Sequence, residues 1–339
     1  MHFLITGHTG FKGSWLVALL KARGHTVSGY SDVFLNGSLY DIANLRRLLS
    51  LEEFADICDT SRLSSFINSV KPDFIIHFAA QSIVRESYRH PELTFEVNSE
   101  GTNSLMRAVK AFDGNLITLV VTTDKVYKDL GANRPYVETD PLQGSEPYGQ
   151  SKAIADLSAQ YWMQNHLLSR MAIARAGNVI GGGDNNFERL MPELISKYMS
   201  GGSPDLRYPD AIRPWQHVLD CLNGYIFIVD NLSQGGASDI WNIGPDVSSH
   251  VSVKEIQELT SAFFDQPSTH VSLTPVDLSE STYLALNSEK IRACLGWSNH
   301  LSLKESVFHA VNWHIEVGRG RNPFDVTMKQ IESFLEKTQ

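Results

Sequence analysis

The sequence predicts an α/β protein in which a doubly wound parallel sheet carries a smaller C-terminal lobe. Two observations lead to this fold class. Short apolar runs alternate with helical patterns through the first half of the chain, as expected for strands joined by crossover helices. The runs are continuous rather than alternating in polarity, which is typical of parallel strands that are buried on both faces.

The predicted strands share an apolar run and cover residues 3–5, 26–30, 74–78, 116–121, 171–179 and 240–243. The run at 116–121 is the clearest, because five of its six residues are aliphatic. After the first strand, apolar residues recur at helical spacing at Trp15, Leu16, Leu19 and Leu20. Gly24 follows this pattern, and we expect it to end the first helix as a C-cap.

The alternation of apolar runs and helical patterns ends after residue 179. Glycine-rich segments that are typical of loops follow at residues 181–186 and 201–204. We therefore expect a first domain made of residues 1–180 and about 215–244. The smaller lobe would comprise residues 181–214 and 245–339.

The composition is that of an ordinary globular protein, with 42% hydrophobic and 20% charged residues among 339. Its formal net charge of −9 argues against nonspecific binding to nucleic acid or anionic membranes. Three scattered cysteines, Cys58, Cys221 and Cys294, do not form a disulfide framework and favour a reducing compartment. We see no signal peptide, membrane span or metal-ligand spacing of histidines, and we expect a cytoplasmic, metal-free protein.

A glycine-rich loop, residues 7–13, joins the first strand to the first helix. Its Gly7, Gly10 and Gly13 have the spacing G-x-x-G-x-x-G. Glycines there permit a tight turn and let a pyrophosphate approach the backbone at a helix N-terminus. The loop could instead be only a structural turn, but its position between strand and helix favours a Rossmann dinucleotide site. No arginine follows the second strand, where Asp32 stands, so NAD is favoured over NADP.

Tyr148 and Lys152 are spaced as Tyr-x-x-x-Lys at the start of a helical pattern, and therefore share one helix face. The lysine cation favours the phenolate, which can then remove a proton from a hydroxyl group. The strand at 116–121 leads into Thr123, Asp124 and Lys125, at the strand end where ligands bind in such sheets. Each group could also be without a catalytic role. The tyrosine and lysine could lie on a solvated helix face, and the aspartate and lysine could form an ordinary exposed ion pair.

The chain resembles the extended short-chain dehydrogenase/reductase family (NAD-dependent epimerases and dehydratases), and within it the CDP-glucose 4,6-dehydratases. The residues that carry this resemblance are 7–16, 79–85, 123–127, 174–184, 211–218 and 295–297. The resemblance spans nearly the whole chain, and its most specific parts are the opening decapeptide, the Asp124-Lys125 pair and residues 213–217.

The resemblance implies three groups of site residues. Catalytic positions would be Thr123, Asp124, Lys125, Tyr148 and Lys152. NAD would be held by Gly7, Thr9, Gly10, Phe11, Lys12, Gly13, Asp56, Ile57, Phe78, Ala79, Ala80, Asn98, Tyr148 and Lys152. The substrate, a nucleotide-activated sugar, would be bound by Gln81, Arg85, Asn178, Arg189 and Arg213. A guanidinium such as that of Arg213 also suits phosphate oxygens on physical grounds.

The implied reaction begins when Tyr148 takes the proton of the 4-hydroxyl as hydride leaves C4 for NAD. Water is then eliminated across C5 and C6, with Asp124 as the acid, and hydride returns to C6 to give a 4-keto-6-deoxy sugar. Lys125 stands where related dTDP-glucose dehydratases carry a glutamate base.

Three segments depart from the family pattern: residues 128–138, Asn185-Asn186, and Ser279-Glu280-Ser281. Because of these departures, the sequence does not identify the nucleotide base or the sugar of the substrate. The alternative activity is that of an enzyme whose reaction stops at C4, a nucleotide-sugar 4-dehydrogenase or 4-epimerase. A third alternative is a non-catalytic NAD-binding regulator, because fold does not fix function. By fold-level analogy we expect a homodimer formed by residues near 92–112 and 148–168.

Overall fold

The fold is described by a computed structural model for residues 1–131, 133–165, 168, 170–264, 272–273 and 281–338. The strands of the central sheet are β1 His2–Thr6, β2 Thr26–Ser31, β3 Glu52–Phe54, β4 Phe74–His77, β5 Ile117–Thr123, β6 Met171–Ala176 and β11 Ile240–Ile243. Shorter strands form pairs: β7 Val179–Ile180, β8 Asp205–Leu206, β9 Ile212–Pro214, β10 Gln216–His217, β12 His250–Ser252 and β13 Ser272–Leu273.

The seven-stranded sheet has the order β11-β6-β5-β4-β1-β2-β3, and all of its strand pairs are parallel. The chain therefore winds outward from β1 in one direction and then from β4 in the other. The order reverses between β1 and β4, which opens a crevice at their carboxyl ends. The predicted doubly wound α/β fold is confirmed.

Both faces of the sheet are buried, which explains the continuous apolar runs of the strands. Phe3 and Ile5 of β1 point into one hydrophobic cluster and Leu4 into the other. In β4, Ile76 and Ile75 divide between the same two clusters. Alternate side chains of one strand project to opposite faces, so an unbroken apolar run supplies two cores.

The helices are α1 Phe11–Ala22, α2 Leu39–Ile42, α3 Thr60–Val70, α4 Val84–Arg89, α5 Pro91–Phe95, α6 Gly101–Ala111, α7 Pro147–Gln164, α8 Leu190–Met199, α9 Val218–Ser233, α10 Val253–Ser261, α11 Glu289–Leu295, α12 Leu303–Gly318 and α13 Pro323–Lys337. Helix α1 ends as predicted, because Gly24 follows its C-cap with a φ of +79°. Helices α10 and α12 begin with capping boxes at Ser252 and Ser302.

The strand predicted at 171–179 is interrupted in the structure. β6 ends at Ala176 and the two-residue β7 begins at Val179. β7 pairs with β10, and β9 pairs with β12, both outside the central sheet. Here α8, α10 and α12 enclose a third hydrophobic cluster, which includes Leu194, Ile256 and Val307. In the described part of the chain, no helix combines the length and the apolar character that crossing a membrane requires.

Candidate active site

The glycine-rich loop lies at the point where the strand order reverses, between β1 and α1. Gly7 has a φ of +73°, in the left-handed region that glycine adopts without strain. A Cβ atom at Gly13 would lie 2.2 Å from the Gly7 carbonyl oxygen. The loop therefore folds tightly back on the first turn of α1, and glycine is required where the two backbone segments meet.

The N-terminus of α1 is suited to an anion. Gly10 is its N-cap, no side chain caps the helix, and its first turn contains no acidic residue. Backbone N–H groups at a helix N-terminus bind phosphate through hydrogen bonds and the helix dipole. The Thr9 hydroxyl donates to the Val33 carbonyl at 2.8 Å, which fixes the loop beside the end of β2. These residues fit the pyrophosphate of a dinucleotide.

The sequence analysis missed a cluster of interacting side chains, His8, Tyr40, Arg46 and Glu52, that packs against this loop. The His8 ring is fully buried, and its Nε2 lies 2.9 Å from Glu52 Oε1. Arg46 pairs with the other carboxylate oxygen at 2.7 Å, and the Tyr40 hydroxyl donates to Glu52 as well. Glu52 belongs to the short edge strand β3, so the cluster connects the glycine-rich loop to the edge of the sheet.

The other predicted NAD-binding residues follow strand ends along the same crevice. Asp56 and Ile57 come after β3, where the Asp56 carboxylate accepts the Cys58 N–H at 2.8 Å. Phe78, Ala79 and Ala80 follow β4. Phe78 and Ala79 lie beside the glycine-rich loop, since a Cβ atom at Gly7 would lie 2.7 Å from the Ala79 nitrogen.

Asn98 and Gln81 are engaged with each other inside the protein. The Gln81 N–H donates to the Asn98 side chain at 2.9 Å, and Asn98 donates to the Gln81 carbonyl at 3.0 Å and to Ser151 at 2.9 Å. The Gln81 side chain donates to Thr94. Asn98 therefore joins the segment after β4 to helix α7.

Lys12 extends from the first turn of α1 into the crevice. Its ammonium donates to the Tyr225 hydroxyl at 3.2 Å. Burial lowers the pKa of Lys152, and the Lys12 charge lowers it further; at Asp124, whose pKa burial raises, the Lys12 charge offsets a small part of the rise. The charge at the first turn of α1 therefore acts on the side chains predicted to react.

Thr123 is the last residue of β5, and Asp124 follows it directly. The Thr123 hydroxyl donates to Asp124 Oδ1 at 2.9 Å, and it also interacts with the Tyr148 hydroxyl. Asp124 is only 3% exposed, and its Oδ2 has no hydrogen-bond partner in the part of the chain that the structure describes. Burial raises the pKa of Asp124. A buried carboxyl group of this kind can carry a proton and donate it.

Tyr148 and Lys152 lie on the first turns of α7. Burial raises the pKa of Tyr148 to about 12 and lowers that of Lys152 to about 8. The Lys152 ammonium donates to the Val121 carbonyl at 3.1 Å. The sequence analysis expected Lys152 to favour the phenolate of Tyr148. Burial instead dominates and favours the neutral phenol.

Lys125 lies beside an acidic residue that the sequence analysis did not select. Its Nζ is 3.3 Å from Oε1 of Glu146, whose side chain is only 6% exposed. Glu146 directly precedes Pro147, the first residue of α7. In the sequence it has the appearance of an ordinary N-cap residue, so no pattern distinguished it.

Two predicted substrate arginines lie near Asp124 and Tyr148. Burial raises the pKa of Asp124 and the Arg213 charge offsets part of that rise; burial likewise raises the pKa of Tyr148 and the Arg189 charge offsets part of it. Arg189 pairs with Asp184 at 3.0 Å and donates to Ser82 at 3.1 Å. Asn178 lies between β6 and β7. Arg85 lies half-buried on α4, and no described contact connects it with the reacting groups.

A fully buried ion pair lies behind the reacting groups. Arg175 of β6 binds both carboxylate oxygens of Asp156, at 2.9 Å and 2.7 Å. Thr122, one residue before the end of β5, donates to the same carboxylate at 2.8 Å. Asp156 lies on α7, four residues after Lys152. The pair therefore locks together β5, β6 and the catalytic helix.

Parts of two segments that depart from the family pattern line one surface cavity. Leu130, Arg134 and Tyr136 come from the first segment, and Ser281 belongs to the last. Ser279 and Glu280 lie outside the described residues, whereas Asn185 lies in the loop before α8. No group of three or more His, Cys, Asp or Glu side chains with metal-binding geometry occurs among the residues described.

Comparisons with known proteins agree with this geometry. A profile of the family described as GDP-mannose 4,6 dehydratase matches residues 4–309. The chain is 34% identical to CDP-glucose 4,6-dehydratase of Salmonella typhimurium, over 98% of this chain and 96% of that protein.

Solved structures show the same fold. A dTDP-glucose 4,6-dehydratase from Streptomyces venezuelae, crystallised with NAD, superposes with a TM-score of 0.81 at 25% identity and covers 96% of this chain and 100% of its own. The UDP-glucose 4-epimerase of Thermotoga maritima, with a TM-score of 0.82 and 20% identity over 94% and 99% of the two chains, shares the fold.

Proposed function

The chain belongs to the GDP-mannose 4,6-dehydratase family, a branch of the extended short-chain dehydrogenases/reductases, and on this basis we propose its activity. It is an NAD-dependent nucleotide-sugar 4,6-dehydratase, a lyase that converts the sugar into its 4-keto-6-deoxy form. CDP-glucose is the first substrate to test, because the relative of 34% identity carries that name.

The observation that carries this proposal is the buried Asp124 beside Thr123. An oxidation or epimerisation at C4 needs a base for the 4-hydroxyl, but it needs no acid to protonate a leaving 6-hydroxyl. Asp124 is buried, has its pKa raised and leaves Oδ2 without a hydrogen bond among the described residues. These are the properties of a general acid that remains protonated above the ordinary range of aspartate.

NAD, when bound, takes the hydride from C4, returns it at C6 and brings a positive charge to the crevice. We assign its pyrophosphate to the N-terminus of α1 with Gly7, Gly10 and Gly13. Asp56 and Ile57 are assigned to its adenine end. The remaining assigned contacts are Thr9, Phe11, Lys12, Phe78, Ala79 and Ala80, together with Asn98, whose side chain donates to Ser151 of α7.

The protein's own groups must move protons in a closed cycle. Tyr148 gains the proton of the 4-hydroxyl, whereas Asp124 loses one to the departing water. The Thr123 hydroxyl interacts with Tyr148 and donates to Asp124. It therefore offers a path by which the proton gained at one group restores the other. Lys152 orients the ribose of the cofactor, and Lys125 is the candidate base at C5.

We assign the substrate's pyrophosphate and nucleotide to Arg213, Arg189 and Asn178, and further substrate contacts to Gln81 and Arg85. Both Arg213 and Arg189 influence the pKa of a reacting group, which supports their place at the substrate. We also propose that residues 1–180 and about 215–244 form the NAD-binding domain, and the remainder the substrate lobe.

The decisive experiment offers the purified protein a panel of CDP-, dTDP-, GDP- and UDP-sugars. The expected product is lighter than the substrate by one water and shows the absorbance of a 4-keto sugar. A product of unchanged mass would identify an epimerase. Loss of two hydrogens with accumulating reduced nicotinamide would identify a 4-dehydrogenase. Binding of NAD with no turnover of any sugar would support a regulator.

We further propose that the protein is a cytoplasmic homodimer, whose product supplies polysaccharide biosynthesis. Helix α7 exposes Ile154, Leu157 and Tyr161, with exposed fractions of 46%, 50% and 61%. These residues form one apolar stripe at helical spacing, which is unusual on the surface of a monomer. The variant Leu157→Glu should halve the mass that light scattering measures in solution, and a monomeric parent protein would contradict the dimer.

A further inference from the structure

Glu146 is a buried carboxylate that the proposed reaction cycle has not used. Its Oε1 lies 3.3 Å from Lys125 Nζ, and the Ser145 hydroxyl donates to its Oε2 at 2.7 Å. No hydrogen bond reaches Oε1 from the residues that the structure describes. The ion pair with Lys125 is therefore the contact that offsets the desolvation cost of this buried oxygen.

The position of Glu146 makes this contact unexpected. Glu146 is the N-cap residue of α7, where a polar side chain ordinarily accepts an N–H of its own helix. Its side chain makes no such hydrogen bond. It turns instead to Lys125, whose side chain is 24% exposed whereas that of Glu146 is 6% exposed. The lysine thus stands at the edge of the crevice with the carboxylate behind it.

We propose that Glu146 is the positioning residue and proton partner of Lys125, and that it enables Lys125 to act as the base at C5; this rests on the proposed dehydratase function. Lysine ordinarily titrates near pH 10.4 and is an ammonium at neutral pH. It can therefore accept a proton from carbon only if it gives one of its own to another group. The Glu146 carboxylate is a proton acceptor within reach of its Nζ.

The cycle balances in protons and electrons. As Lys125 Nζ takes the C5 proton, it passes one of its own protons to Glu146 Oε1, so that the ammonium is kept and Glu146 becomes a carboxylic acid. The electron pair of the C5–H bond forms the C5–C6 double bond. The 6-hydroxyl leaves as water with the Asp124 proton. After hydride is added at C6, Lys125 returns its proton to C5, and Glu146 returns its own to Lys125.

The test compares the full-length Glu146→Gln variant with the parent protein, both loaded with NAD and supplied with a nucleotide sugar that the parent dehydrates. Reduced nicotinamide absorbance follows oxidation at C4, and product mass follows elimination. Deuterium from the solvent reports exchange at C5. We expect C4 oxidation within a few-fold of the parent, but dehydration and C5 exchange slower by about 10²–10⁴-fold at pH 7, the usual contribution of a general base.

The pH profile separates this role from a merely structural one. In Glu146→Gln, Lys125 must lose its proton to solvent, so the ratio of variant to parent dehydration should rise about tenfold per pH unit towards the ordinary lysine pKa. Glu146→Asp keeps a carboxylate and should recover part of the rate at neutral pH. If Glu146→Gln does not fold, Glu146→Asp carries the test, with dehydration slowed more than oxidation.

A matched control is Glu316→Gln, which removes the carboxylate of an exposed ion pair with Arg321, at 3.6 Å. It should behave as the parent in every assay. Parent-like dehydration in Glu146→Gln would overturn the proposal. So would a parallel loss of C4 oxidation and elimination that does not recover at high pH. A parent protein that oxidises no nucleotide sugar would instead overturn the proposed function itself, and the proposal with it.

Discussion

The Thr123 hydroxyl donates a hydrogen bond of 2.9 Å to the Asp124 carboxylate, although the two residues are neighbours in the chain. Thr123 also interacts with Tyr148. One small hydroxyl therefore connects the proposed base of the first step with the proposed acid of the second. Because that base and that acid are different residues, mutation can test the two half-reactions separately.

Asp124→Asn should block elimination while leaving oxidation at C4. The amide keeps the shape of the side chain but has no acidic proton to give the departing hydroxyl, and general acids contribute about 10²–10⁴-fold in rate. Stopped-flow absorbance should show reduced nicotinamide accumulating, and mass spectrometry should show no loss of water. Equal loss of both steps in Asp124→Asn would contradict the role of Asp124 as an acid.

The elimination step should also fall as pH rises. Burial raises the pKa of Asp124, so its protonated form persists to higher pH than that of an ordinary aspartate and is then lost. Above that pKa the rate of elimination should decrease about tenfold per pH unit, because only the protonated acid donates. Single-turnover measurements of product mass across pH would show it, and a flat profile would exclude this acid.

Tyr148→Phe should abolish oxidation at C4, since phenylalanine cannot take the proton of the 4-hydroxyl. We expect a decrease of about 10²–10⁴-fold in the formation of reduced nicotinamide, with no change in fold. The matched control is Tyr161→Phe on the same helix, where the tyrosine is 61% exposed and far from Lys152 in sequence. If both variants lost activity equally, Tyr148 would not be the base.

Lys152→Met should make the nucleotide-free protein more stable at pH 7, although it removes a catalytic group. Burial lowers the pKa of Lys152 to about 8, below its value in the unfolded chain, so the unfolded chain binds the proton more tightly. The parent's stability therefore rises between pH 8 and the unfolded pKa of about 10.4, and below pH 8 the ammonium destabilises the fold.

The expected gain at pH 7 is about 2 kcal/mol, which is about 3 kcal/mol from the pKa difference less about 1 kcal/mol for the lost hydrogen bond to Val121. Urea unfolding at pH 7 and pH 10 would measure it, and the gain should shrink at the higher pH. Lys254→Met changes an exposed lysine and should alter stability little. A Lys152→Met protein less stable than its parent at pH 7 would refute the expectation.

Gly13→Ala and Gly10→Ala should differ although both lie in the glycine-rich loop. A Cβ at Gly13 would lie 2.2 Å from the Gly7 carbonyl oxygen, whereas one at Gly10 would lie 3.4 Å from it. Overpacking of this kind costs about 1–3 kcal/mol. Thermal unfolding should show a loss in Gly13→Ala and little change in Gly10→Ala. Equal stability of the two variants would mean that the loop yields without cost.

The sequence predicted the strands whose residues are apolar on both faces, and it missed β3, Glu52–Phe54. That strand is three residues long, begins with two glutamates and lies at the sheet edge, so it has no apolar run. The strand predicted to reach residue 179 was too long, because the sequence does not show that β7 leaves the sheet to pair with β10.

Sequence motifs predicted individual site residues. They did not predict pairs of residues that are distant in the sequence and meet only in the folded protein. Glu146 and Lys125 are 21 positions apart in the sequence, and only the fold brings them to 3.3 Å. The same holds for His8 and Glu52, which meet across the loop at 2.9 Å. The protonation of Tyr148 depends on burial, which a spacing of four residues does not reveal.

The buried Arg175–Asp156 pair also constrains how this chain can diverge. Replacing either partner alone would leave an unpaired charge in the interior and lower the free energy of unfolding by about 3–5 kcal/mol. The two positions can therefore change only together. Leu130, Arg134 and Tyr283, which line the surface cavity, belong to other segments. The ion pair does not restrict which side chains these positions can carry. Substitutions at those positions would therefore leave the buried ion pair, and the attachment of α7 to β5 and β6 that it provides, unchanged.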